Sequence, residues 1–182
     1  ELRVASDLEV GPLLPIDDDL LAAIRGGFET VGGHIERQRF KAGIGEVMRL
    51  VGLANAYVSA TEPFKLKSDD ERERLGTVLH VLAQAVSDLN TLTAPFLPHG
   101  ANRVHEILGG TGEFVPMPQL REVEDLDGGP AYPVIMGDYS GTPRWESRPV
   151  VPGTPIGPPV PVFTKFDPSV VQDEIDRMRG DG

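Results

Sequence analysis

Apolar residues recur at helical spacing through the first 110 positions. Leu20, Leu21, Ile24, Phe28, Val31 and Ile35 fall on one face, behind Asp17–Asp19, whose carboxylates supply N-cap oxygens and first-turn negative charge. Gly32–Gly33 weakens the end of that helix, at about 1 kcal/mol per glycine relative to alanine. A short polar corner, Arg37–Gln38–Arg39, leads to a second helix with the stripe Phe40, Ile44, Val47, Val51, Ala54 and Val58, and Pro63 ends it. Ser68–Asp69–Asp70–Glu71 has the form of a capping box and opens a third helix. Its apolar positions are Leu75, Val78, Leu79, Leu82, Val86, Leu89 and Leu92, and Pro95 closes it. Pro98 starts a short fourth helix bearing Ala101, Val104, Ile107 and Leu108, stopped by Gly109–Gly110. Short connections make these helices antiparallel neighbours. The fold class is all-α: an antiparallel helical bundle over residues 16–110, preceded by a connecting segment, 1–15.

The pattern then changes. Residues 111–182 hold twelve of the 17 prolines, which removes too many backbone donors for long helices or central strands. Short extended pieces are expected at Phe114–Met117, Tyr132–Ile135 and Trp145–Val151, with polyproline-like or turning coil from Gly153 to Pro161. Residues 111–167 therefore read as a Pro/Gly-rich extended strap lying along a surface. Asp167 at an N-cap and Pro168 at the first helical position begin a terminal amphipathic helix, 168–182, with Val170, Val171, Ile175 and Met178 on one face.

Composition narrows the function classes. Lys and Arg number 17 against 28 Asp and Glu, a formal charge of −11, which counts against a protein that coats nucleic acid by bulk charge. No cysteine is present, so disulfides, thiolate nucleophiles and cysteine-ligated zinc or iron–sulfur sites are excluded. No apolar stretch is long enough for a membrane span, and no signal peptide pattern opens the chain. There is no phosphate loop, and Gly110–Thr111–Gly112 lacks the remainder of a dinucleotide fingerprint. His34, His80, His99 and His105 have no metal-ligand spacing, and the acidic runs read as caps and solvated charge. No catalytic residue and no metal ligand is assigned.

Local basic character is more informative. Arg37, Arg39 and Lys41 cluster at the first helix junction, and Lys65 and Lys67 flank Phe64 just after the second helix. An aromatic beside cations in an inter-helix loop suits an unpaired base stacked on the ring with phosphates on the neighbouring charges. The alternative is that Phe64 closes the end of the bundle and the lysines are solvated.

The run from Val51 through Asn55, Tyr57, Pro63 and Phe64 to Lys67, followed by Arg72–Leu75 and by Leu92–Pro98, resembles the anticodon-binding bundle of bacterial methionyl-tRNA synthetases. The similarity covers about residues 16–110, in order, spacing and helical placement. Val162–Asp167 is similar to a short segment near the end of the family's core chain. The resemblance implies recognition of the CAU anticodon of methionine tRNA. It assigns Phe64 as the stacking platform and puts Asn55 on the matching helix, either bonding the anticodon loop or bracing the turn. Lys65, Arg37 and Arg39 are phosphate neighbours by the residue reading alone.

Two departures stand out: Phe64 replaces the family's tryptophan, keeping a π-face with less area, and the family's base-reading Asn and Arg would precede Glu1. Neither class I ATP-handling signature occurs here, so the resemblance implies a C-terminal piece that cannot itself activate methionine. ATP with magnesium, and zinc in some members, would belong to an upstream catalytic domain, the chain's second expected partner after methionine tRNA. A cytoplasmic, membrane-free protein follows. Trp145 has no family role and is expected to pack on the bundle, with the terminal helix docked on the bundle or the catalytic domain. The competing reading is a stand-alone interaction module derived from the same bundle, with no tRNA role.

Overall fold

The computed structural model describes residues 2–3, 8–137 and 144–180, so the expected 1–15 segment, the strap and the 168–182 helix each lie partly outside the described residues. In chain order the elements are β1 (Leu2–Arg3), α1 (Pro15–Glu36), α2 (Phe40–Thr61), α3 (Arg72–Thr93), α4 (Pro98–Ile107), β2 (Gln119–Val123), β3 (Tyr132–Met136), β4 (Pro155–Ile156) and α5 (Ser169–Arg179). The first three helices are each 22 residues long, or about 33 Å, and pack against one another, with α4 against α3. Ile24 and Val31 of α1, Val47 and Leu50 of α2, and Val78, Val81 and Leu92 of α3 are fully buried and form the centre of the core.

Three details of the helices bear on the periodicity reading. First, α1 runs through Gly32–Gly33 to Glu36, as the stripe to Ile35 and the corner at Arg37 predict, and Gly32 also serves packing. A side chain there would come within 2.9 Å of Trp145 Nε1. Second, α2 is rotated. Its buried face is Gly43, Val47, Leu50 and Tyr57, while Phe40 is 56% exposed. Gly43 sits inward because the Phe96 ring occupies the space a side chain would need. Third, α3 is buried around most of its girth, since α1 and α2 cover one side and α4 and the strap the other. That placement buries Thr77, Gln84, Asp88 and Asn90, and leaves Leu79 and Val86 exposed.

Polar residues of α3 and α4 hold the strap. Asn102 of α4 accepts the Phe114 and Val115 N–H groups on its Oδ1, at 2.7 and 3.0 Å, and donates to the Val115 carbonyl. Further on, Gln84 donates to the Arg148 carbonyl and accepts the Val150 N–H, both at 2.8 Å, while Ser147 Oγ donates to Asp88 at 2.8 Å. Trp145 Nε1 donates to the Phe28 carbonyl at 2.7 Å, and its ring meets the Phe28 ring edge-on. Trp145 thus packs on the bundle, and among the described residues the hydrogen bonds that fix this stretch come from the bundle rather than from a strand partner.

Between these anchors the chain forms a hairpin. β2 and β3 pair antiparallel, Leu120 opposite Ile135. The expected extended piece at 132–135 is β3, whereas β2 was not foreseen, and Phe114–Met117 is tethered without a strand. β4 pairs with β1, and the Gly157 N–H donates to the Ile107 carbonyl at the end of α4. Gly109 is required here: its φ is +84°, and a side chain would strike the Pro155 carbonyl. At α5 the Asp167 carboxylate accepts the Ser169 N–H, as an N-cap does, but no residue of α5 is buried. The expected docking of this helix on the bundle is therefore not seen. Val171 and Met178 of its intended apolar face are 65% and 78% exposed.

Candidate nucleic-acid interface

The connection from α2 to α3 is built to hold an aromatic ring outward. Glu62 takes a left-handed conformation, φ +43°, and its N–H donates to the Val58 carbonyl, closing α2. Pro63–Lys65 then makes one tight 3₁₀ turn that packs against α3. Ser68 and Glu71 form the expected capping box: Ser68 N–H and Oγ and the Lys67 N–H all donate to Glu71 Oε2, at 2.7–3.1 Å. These bonds hold the Glu71 carboxyl below the usual carboxylate range, the Ser68 side chain contributing most. Phe64, on the crest of this loop, is 63% exposed. The reading in which Phe64 closes the bundle end does not fit that exposure.

Lys65 lies beside the ring and pairs with Glu62 at 2.7 Å, and Lys67 is exposed. Asn55 is exposed on α2, six residues before the helix ends, or about 9 Å along its axis. Phe64, Lys65 and Asn55 therefore belong to one end of the bundle. Arg37 and Arg39 do not. They occupy the α1–α2 corner, and the whole of α2, about 33 Å, separates them from the α2–α3 loop. Arg37 Nη1 donates to the Gly33 carbonyl at 3.0 Å, capping its own helix. Two clusters that are adjacent to a helix in sequence sit at its opposite ends, so these arginines cannot serve phosphates flanking a base on Phe64.

Residue spacing missed the carboxylate to which both sides of the α2–α3 loop connect. Asp17 is not a solvent-facing cap. It is fully buried, and its two oxygens accept from Tyr57 Oη at 2.6 Å, from both terminal nitrogens of Arg74 and from the Leu14 N–H at 2.8 Å. Burial alone would raise the Asp17 carboxyl; the Arg74 and Tyr57 hydrogen bonds, the Leu14 N–H and the Arg74 charge outweigh it and bring it to about 2. Burial and then the Asp17 hydrogen bond push the Tyr57 hydroxyl well above its ordinary value, so it stays a donor. The available signal was Tyr57 within the Asn55–Tyr57 run of the family resemblance.

No family model matches this chain. It is 56% identical over 168 residues to a methionine–tRNA ligase of Salinispora arenicola, and 54% identical over 170 residues to one of a Nocardioides species. The chain is related to one stretch of the bacterial methionine–tRNA ligases. Each alignment takes in more than nine-tenths of this chain, 92% and 93%, but only 28% of the relative. The fold agrees: apo methionyl-tRNA synthetase of Mycobacterium tuberculosis superposes with a TM-score of 0.66 over 91% of this chain and 28% of its own, at 24% identity. The same enzyme in complex with methionyl-adenylate gives a TM-score of 0.64.

Proposed function

We propose that these residues are the anticodon-binding region of a methionine–tRNA ligase, with Phe64 stacking on a base of the CAU anticodon of methionine tRNA. The observation that carries this reading is an aromatic ring held 63% exposed on a hydrogen-bonded loop at one end of the bundle. The kinship with methionine–tRNA ligases supports it. Lys65 and Lys67 are the neighbouring cations, and Asn55 lies on the approach along α2. Arg37 and Arg39 are left out of this contact.

In this reading catalysis belongs to the part of the ligase outside these residues, with ATP, magnesium and, in some members, zinc, and the protein works in the cytoplasm. Among the described residues no three His, Asp or Glu side chains gather where they could hold a metal, and no helix is long and apolar enough to cross a membrane. Replacing Phe64→Ala in the ligase polypeptide that carries these residues should weaken binding of methionine tRNA by about 5- to 150-fold, the worth of one stacked base at about 1–3 kcal/mol. Methionine activation, read by pyrophosphate exchange, should persist. Equal loss in charging and exchange would make Phe64 a structural residue. Binding of methionine tRNA that ignores changes in the anticodon would favour an interaction module instead.

A further inference from the structure

The platform loop is anchored on both sides to a single buried carboxylate. Tyr57 lies one turn before α2 ends and seven residues before Phe64, and Arg74 lies in the first turn of α3, ten residues after it. Both reach Asp17 at the start of α1. The last turn of α2 is locked as well, since Thr61 Oγ1 donates to the Tyr57 carbonyl at 2.8 Å. The segment before α1 adds a further tie, the Gly11 N–H donating to Thr77 Oγ1 of α3 at 2.8 Å.

Asp17 is fully buried while the Arg74 side chain stays a quarter exposed, and an ion pair with a buried member is a poor device for stability alone, because desolvation offsets much of its attraction. What it supplies is direction. The planar Arg74 fork grips both Asp17 oxygens, and Tyr57 fixes the same carboxylate along a third line, so α2 and α3 can meet α1 in only one relative setting. The Phe64 loop spans the gap between those two helices, and that setting fixes where its ring stands.

We infer that Asp17, Tyr57 and Arg74 are positioning residues for tRNA recognition, holding the ends of α2 and α3 so that Phe64 presents its face at a fixed height; this role rests on the anticodon reading. Tyr57→Phe keeps the ring and removes one bond, and Arg74→Lys keeps the charge and removes the fork. Each is expected to raise the KM for methionine tRNA about tenfold, within the worth of a stacked base, in the ligase polypeptide that carries these residues. The deciding measurement is a double-mutant cycle with Phe64→Ala. Positioning predicts that Tyr57→Phe or Arg74→Lys adds nothing once Phe64 is alanine. Full additivity, no effect of either variant in the presence of Phe64, or unfolding of both at the assay temperature overturns the inference while leaving the anticodon reading standing. If Phe64→Ala itself leaves the KM for methionine tRNA unchanged, it is the anticodon reading that falls.

Discussion

A carboxylate without solvent contact keeps its negative charge only while its donors remain in place, and this makes Asp17 a measurable contributor to acid stability. Its folded value, about 2, lies below the ordinary 3.8, so its contribution is complete above about pH 4 and is lost as the pH falls toward 2. The difference corresponds to about 2 kcal/mol. Urea unfolding at pH 5 and pH 2.5 should show a loss of that order in the wild-type chain, and Asp17→Asn should flatten the dependence. Asp88 acts with the opposite sign: burial pushes its carboxyl up against the Ser147 and Gln84 hydrogen bonds, so its contribution is greatest below the ordinary carboxylate range and falls as pH rises. Neither aspartate was legible in sequence. Asp17 looks like a cap because its partners lie 40 and 57 residues away, and no local pattern distinguishes a carboxylate facing water from one facing a distant arginine. Phe64 was only half legible: the residue pattern fitted a stacking ring or a plug for the bundle end alike, the resemblance favoured the ring, and its 63% exposure speaks against the plug.

Among the elements, helix existence followed from periodicity, and helix rotation did not. The stripe on α2 counts only large apolar residues, whereas the buried face includes Gly43 under the Phe96 ring, and Phe40 turns outward. Such a shift comes from packing partners that a single-helix pattern does not contain. The same reasoning separates two glycines that propensity treats alike. Gly52 of α2 has open space around it, so Gly52→Ala should stabilise by about 1 kcal/mol through helix propensity. Gly32→Ala gains the same propensity but drives a methyl against Trp145 Nε1, which is bonded to the Phe28 carbonyl. It should therefore be net destabilising, by about 1–2 kcal/mol. Thermal unfolding of the two variants checks this: midpoints should move in opposite directions, and parallel shifts would mean that the indole contact carries little weight. The strap shows the limit of the sequence reading at this scale. Its proline content announced an extended segment, but its anchors are Gln84, Asp88 and Asn102, polar residues on helix faces that periodicity assigns to solvent.

At the scale of the whole molecule, the formal charge of −11 conflicts with RNA binding only if binding is spread over the surface. The proposed contact, one ring and two lysines, is localised, and for single-stranded RNA each cation contributes about −0.7 to the slope of log K against log salt. Titration of an anticodon stem-loop at several salt concentrations should give a slope no steeper than about −1.5, and a value near −4 would mean that phosphates are held elsewhere on the bundle. The 33 Å length of α2 is what withdraws Arg37 and Arg39 from that count. The link between Trp145 and Phe28 has a consequence in time. It joins positions 117 residues apart, so the three long helices leave the ribosome well before the segment that covers them. At roughly 5–20 residues per second, the stretch from the end of α3 to Trp145 takes about 3–10 seconds to synthesise. Throughout that interval Gln84 and Asp88 face water with their later partners unmade, so the nascent bundle must hold its shape on the contacts among its own helices, the apolar core around Ile24, Val31, Leu50 and Leu92 and the Asp17 ties.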